Sequence, residues 1–324
     1  MSASIPIGDA KEVEKKTGLA AESTLPMFQS ALLASVYMLG SISFFLLIRY
    51  SKVLVLRGEL VYQSASVVLL TELLKCLFSI GMMFFRTGKF LPVSVFTEGT
   101  WRKGIYYAVP SGIYAVYNNL TYLNLENFDP GTYQVFMQTR VLFTGLLYTI
   151  ILKRALTSRK WMGLCLLTFG VVAKYITPNL QLNGFVLFML FQASLSAFAG
   201  VYNEFLLKKD LSMDVNEQNF FMYGFALLFN ILIGLVMKPD LYSSGALAES
   251  MHWVLFMIAI NGAVVGIVTS LILKFINVIV KAFASACEVL LTAVLAAMFL
   301  GDKLTLQDVI ACSIVMGSIY VYYS

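Results

Sequence analysis

Residues 140–157 read RVLFTGLLYTIILKRALT, and residues 288–305 read EVLLTAVLAAMFLGDKLT. The two stretches align without a gap at a constant offset of 148 positions, with identities at Val141/Val289, Leu142/Leu290, Thr144/Thr292, Leu156/Leu304 and Thr157/Thr305. Each is an apolar run, a short charged turn and the start of a further run. Two Leu- and Val-rich helices can look alike by chance. A match that continues through a loop into the next helix is better read as an internal repeat.

The chain around this repeat is built for lipid. It is 59% hydrophobic and only 13% charged, with a mean hydropathy of +0.80. A soluble domain carries about 25% charged residues. A bilayer core of about 30 Å asks for about 20 apolar residues per helix. Runs of that kind lie at approximately 27–48, 62–85, 104–124, 131–152, 160–177, 184–207, 216–237, 252–273, 279–300 and 305–323. The 148-residue offset pairs runs four and five with runs nine and ten, so the repeat unit is five helices. Five is odd, and the second copy must therefore enter the membrane from the opposite side. Such inverted repeats build alternating-access carriers with the site at their interface. The expected fold class is an all-α membrane protein of ten transmembrane helices, as two inverted five-helix repeats (about 27–178 and 183–324) in one domain, 27–324. Residues 1–26 are polar and mixed in charge, and read as a disordered tail.

Charge bias orients the bundle. Arg86, Lys89, Arg102, Lys103, Lys153, Arg154, Arg159, Lys160, Lys208, Lys209, Lys274 and Lys281 follow the even-numbered runs. The odd-numbered runs are followed by fewer: Arg49, Lys52, Arg57, Lys174, Lys238 and Lys303. The richer side, with Lys11, Lys15 and Lys16, faces the cytosol, so both termini are expected there. No basic block with interleaved aromatics points to nucleic acid. Cys76, Cys165, Cys287 and Cys312 all sit in apolar runs with no CxxC spacing, and His252 is the only histidine. No metal, cofactor or catalytic cluster is expected, and the chain reads as a carrier, not an enzyme.

Charges at bilayer depth are costly and mark function by default. Glu72 and Lys75 share a helix face at a spacing of three, and read equally as a self-neutralising pair or as a substrate contact. Arg140 and Glu288 occupy equivalent repeat positions, so they should approach each other near a cavity. They would either pair in the empty protein or leave Arg140 to hold a phosphate with its planar fork. The third run carries Tyr114, Asn118 and Tyr122 at spacing four, with Tyr117 and Asn119 alongside. The sixth carries Ser194, Ser196, Gly200, Tyr202, Asn203 and Glu204; the seventh opens with Asn216, Glu217, Gln218 and Asn219, followed by Tyr223. Their number favours a lined polar cavity over simple helix joining. Gly112, Gly145, Gly163, Gly170, Gly262 and Gly266 read as sites of close helix approach.

Several of these stretches resemble one family. NNLTYLNLENFDPGTYQVFMQTRVLFT (118–144) is similar to the helix three to four signature of nucleotide-sugar transporters, with an Asn-Asn pair, then Tyr-Gln-Val and a Gln-x-Lys. LLTELLKCLFS (69–79), FAGVYNEFLLKK (198–209), QNFFMYGF (218–225) and TSLILKFINVIVKAFASA (269–286) resemble further segments in the family's order, and the likeness spans about 28–323. It is nearest the branch of CMP-sialic acid, UDP-galactose and UDP-N-acetylglucosamine carriers. The resemblance implies a drug/metabolite-transporter fold in the Golgi or endoplasmic reticulum membrane, exchanging a cytosolic nucleotide sugar for a lumenal nucleoside monophosphate. Matched residue by residue, it implies substrate contacts from Tyr114, Asn118, Asn119, Tyr133, Ser196, Asn219, Tyr223 and Lys281, with Arg140 and Lys281 on phosphate. Two positions depart from the pattern: Arg140 replaces the usual Lys, and Glu288 stands where the family is small or apolar. A drug or amine exporter of the same fold, and a scaffold that has lost transport, stay open as alternatives. Expected partners are the bilayer, the nucleotide sugar and the monophosphate, with a homodimer as one option.

Overall fold

A computed structural model describes residues 25–88, 97–128, 130–176, 184–210, 213–237, 252–300 and 305–324. Nearly all of the proposed tail, and Lys89, Lys238 and Lys303, lie outside the described residues. All regular structure described is helical: α1 (Met27–Leu56), α2 (Ser64–Thr87), α3 (Glu98–Gly104), a 3-10 turn (Ile105–Tyr107), α4 (Ala108–Asn127), α5 (Pro130–Met137), α6 (Thr139–Ile151), α7 (Ser158–Tyr175), α8 (Val186–Lys209), α9 (Val215–Met237), α10 (Trp253–Phe275), α11 (Val278–Leu300) and α12 (Leu306–Tyr323). Among the described residues, six spans are long and apolar enough to cross a membrane: Phe28–Leu56, α2, α8, Val215–Val236, α10 and α12.

The helices depart from the sequence expectation in three places, each with a local cause. α1 continues two turns past residue 48, because no breaker intervenes before Gly58, which takes a positive φ of 73°. The amides of Arg57, Gly58 and Glu59 bond back to Val53, Val55 and Leu54 and close the helix. Arg49 and Lys52, expected in a loop, therefore belong to this helix. The third run starts earlier, at Glu98, and tightens into its 3-10 turn just before Pro110, whose missing N–H leaves the Tyr106 carbonyl without its usual helical donor. The fourth run is split at Gln138 into α5 and α6, each too short to span alone.

Lipid explains the outer surface. Phe28, Phe85, Leu187, Val236 and Tyr320 are each more than two-thirds exposed, the reverse of a soluble surface. Inside, α1 packs on α10 and α11, α8 on α4 and α6, α2 on α9 and α10, α9 on α4, and α7 on α12. The last contact is close. A methyl group added at Gly163 would lie 2.8 Å from Cβ of Tyr322, and one at Gly170 would lie 2.8 Å from Cγ2 of Val315. Polar side chains tie other pairs. Gln192 of α8 accepts from Asn124 at 2.7 Å and donates to the Tyr117 carbonyl at 2.9 Å, while Ser111 donates to the Met222 carbonyl at 2.8 Å.

Candidate functional site

Two adjoining cavities run along the inner faces of α1, α4, α5, α6, α8 and α11. The inner one, about 220 Å³, is lined by Tyr37, Tyr114, Ser196, Gly200 and Lys281, among others. The wider one, about 650 Å³, takes in Ser41, Tyr133, Gln134, Glu288 and Thr292, and reaches Arg49, Lys174 and Asp308 at its mouth. Tyr37, Tyr117, Gln138, Arg140, Ser285 and Val289 belong to both walls, so the cavities adjoin along these side chains. The joint space falls in the range of sites that enclose a small organic ligand.

Helix geometry explains the placement. Lys281 and Glu288 are seven residues apart on α11, two turns, so both face inward; Tyr133 and Arg140 have the same spacing across the α5–α6 break. The offset that relates Arg140 to Glu288 also relates Tyr133 to Lys281. Opposite walls thus carry equivalent positions with different chemistry.

Of the sequence-predicted residues, Tyr114, Tyr133, Arg140, Ser196 and Lys281 line this space. The others do not. Asn118, one turn from Tyr114 on the same helix, is exposed and lies on neither cavity wall. The side chains of Asn119 and Tyr122 lie outside the described residues. Asn219 and Tyr223 are buried on α9, away from the cavity walls. The Tyr223 hydroxyl donates to the Gly266 carbonyl at 3.1 Å, and the Lys75 ammonium sits 4.6 Å above its ring.

The buried charges divide by what they touch. Lys75 pairs with Glu72 at 2.5 Å, matching the self-neutralising reading of that spacing. Fully buried Glu204 accepts from Lys208 at 2.6 Å and from the amide of Val278 at 2.6 Å, while Lys208 also donates to the Ile276 carbonyl. Lys274 donates to the Met213 carbonyl at 2.8 Å and to Gln218 at 2.7 Å. These bonds knot the ends of α8, α9, α10 and α11 together, and ion pairs Arg86–Asp214 and Lys103–Asp210 bind the same end to α2 and α3. Across the mouth, Asp308 caps α12 through Thr305 and meets Lys174 at 3.4 Å.

Arg140 and Lys281 behave differently. Neither side chain makes a hydrogen bond or ion pair to a described residue; both face the cavity. Arg140 and Glu288 share the wider cavity, as their equivalence suggests, but no ion pair joins them among the described residues. Cavity groups that escaped the sequence reading include Gln138, Tyr37 and Ser285. Gln138 lay inside the quoted Gln-Thr-Arg motif and was findable. Tyr37 is one aromatic on an apolar helix, and Ser285 one small residue in a run of them, with no periodic signal to separate either.

This geometry has counterparts among known proteins. A family model described as nucleotide-sugar transporter matches residues 27–323. The chain is 34% identical over 304 residues to the UDP-galactose transporter senju of Drosophila melanogaster, covering 81% of this chain and 78% of that one. It is 32% identical over 222 residues to CMP-sialic acid transporter 2 of Oryza sativa subsp. indica, covering 67% of this chain and 62% of that one. A solved crystal structure superposes with a TM-score of 0.68 over 91% of this chain and 96% of that chain, at 13% identity, a likeness of fold alone. With a family match running from α1 to the end of α12, the chain belongs to the nucleotide-sugar transporter family.

Proposed function

We propose that this chain is an antiporter of the Golgi membrane that exchanges a cytosolic pyrimidine nucleotide sugar for a lumenal nucleoside monophosphate, by alternating access. One observation carries the chemistry: Arg140 and Lys281, neither held in a direct ion pair, line one cavity with Tyr114 and Ser196, and Tyr133 lines the cavity beside it. A guanidinium and an ammonium suit phosphate oxygens, and the tyrosine faces and hydroxyls suit a base and ribose. Both substrate classes are phosphate anions, so either satisfies the same cations. An empty carrier would have to close over Arg140 and Lys281 with only Glu288 near them and no direct ion pair. That cost opposes return without cargo and makes exchange obligatory.

Ten membrane crossings in two inverted repeats fit the packing. If α1, α2, α3–α4, α5–α6 and α7 correspond to α8, α9, α10, α11 and α12, the α1–α10 contact becomes α8–α4, α1–α11 becomes α8–α6, and α2–α10 becomes α9–α4. The α2–α9 and α7–α12 contacts map onto themselves, as a two-fold relation between the halves requires. With both termini cytosolic, the end knotted by Glu204, Lys208 and Lys274 is cytosolic, and the mouth at Arg49, Lys174 and Asp308 is lumenal. This conformation is then the lumen-open one.

Counterflow in proteoliposomes tests the reading. Vesicles preloaded with CMP or UMP should take up the matching labelled nucleotide sugar, and empty vesicles should not. Fast uptake into empty vesicles would contradict obligatory exchange, and no uptake with any pyrimidine monophosphate would contradict the substrate class.

A further inference from the structure

Two carboxylates line the described cavity, Asp308 at the mouth and Glu288 deeper in. Asp308 is committed: it accepts from the amide and hydroxyl of Thr305 and lies 3.4 Å from Lys174. Glu288 is only 3% exposed, yet no ion pair joins it to Arg140, Lys281 or any other described residue. Ser41 on the same wall hydrogen-bonds its carboxylate, while the Thr292 hydroxyl is spent on the Glu288 backbone carbonyl at 2.8 Å. A carboxylate at this depth is costly; Ser41 bonds it, and Arg140 and Lys281 act on it only through space, without a direct ion pair, so it keeps acceptor sites for a ligand to complete.

The layout says what kind of ligand. Lys281 lies in the inner cavity, Arg140 borders both, and Glu288 belongs only to the wider one. With phosphate held by the two cations and the nucleoside toward Tyr114 and Ser196 in the inner cavity, the sugar end lies beside Glu288. A carboxylate only accepts hydrogen bonds, through about four lone-pair sites. Its complement is a group rich in hydroxyl donors and without negative charge. We propose that Glu288 is a specificity-determining residue: it accepts hydrogen bonds from the hydroxyls of an uncharged sugar, and rejects nucleotide sugars whose sugar carries a carboxylate. The assignment rests on the carrier reading above and narrows it. Forcing two carboxylates together costs affinity for the acidic sugar alone.

Matched ligands isolate the effect. UDP-galactose and UDP-galacturonate share base, diphosphate and ring, and differ only in a hydroxymethyl or carboxylate at one carbon. CMP-sialic acid and its methyl ester form the corresponding cytidine pair. Affinities are measured on the purified carrier by competition against labelled UMP or CMP, using the pair whose monophosphate binds. The wild type should favour the uncharged member by about ten-fold or more, and Glu288→Gln should shrink that ratio to about three-fold or less. Taking the ratio cancels the general gain that every anion makes when a negative charge is removed. Glu288→Asp, which keeps the charge, should keep the discrimination, and it stands in should the Gln variant fail to fold. Equal affinities for the two members in the wild type, a ratio unmoved by Glu288→Gln, or a ratio lost in Glu288→Asp would overturn the assignment. If neither monophosphate binds the wild type, the carrier reading itself fails.

Discussion

Ser196 and Glu204 stand two turns apart on α8, and they end in opposite surroundings. Ser196 opens onto the cavity with Arg140 and Lys281, while Glu204 is sealed between Lys208 and the first amide of α11. The same division holds for every cation discussed at depth. Lys75, Lys208 and Lys274 are each saturated by a carboxylate, an amide or a backbone carbonyl within 2.8 Å. Arg140 and Lys281 have the cavity instead of a partner. Burial alone therefore does not mark a functional charge in this bundle. The mark is a buried charge that the protein leaves for something else to complete.

Breaking the sealed set should cost the fold. Glu204→Ala strands the Lys208 ammonium and frees the end of α11, a loss of about 3–5 kcal/mol. Little monodisperse protein should survive detergent extraction, as read by fluorescence-detected size exclusion. A variant with normal yield and melting temperature would move Glu204 out of the sealed set. The smallest effect sharpens the boundary. The family resemblance implies a substrate contact at Tyr223, but here it bonds Gly266 beneath Lys75. Tyr223→Phe should lower stability by about 1 kcal/mol, a single hydrogen bond, with monophosphate affinity unchanged. A several-fold affinity loss at unchanged stability would place Tyr223 with the ligand-facing groups after all.

The sequence made one half of this division readable. Hydropathy located the helices, and the 148-residue repeat singled out Arg140 and Glu288 as a facing pair. The spacing of Glu72 and Lys75 already allowed their mutual neutralisation. The other half was hidden because it depends on neighbours distant in sequence. Lys274 and Gln218 are 56 residues apart, and Lys208 reaches the Ile276 carbonyl across 68. No local pattern announces such a bond. Lys274 and Lys281 look alike in the sequence, two cations flanking one loop, and only packing makes the first a clasp and the second a cavity wall. Asn118 shares the i, i+4 face of Tyr114 and yet lies on neither cavity wall, because which part of a face meets the cavity depends on helices distant in sequence.

Thermal stability of wild type and Arg140→Ala with CMP, UMP, GMP and AMP tests the central distinction most directly. Without ligand, the two proteins should melt within a few degrees of each other, because Arg140 supports no described contact. At about a hundred-fold excess over Kd, a pyrimidine monophosphate should stabilise the wild type by about 2.7 kcal/mol, with GMP and AMP giving no such shift and Arg140→Ala losing it. A full shift in Arg140→Ala, or one of equal size with all four nucleotides, would contradict Arg140 as the cation that awaits the phosphate.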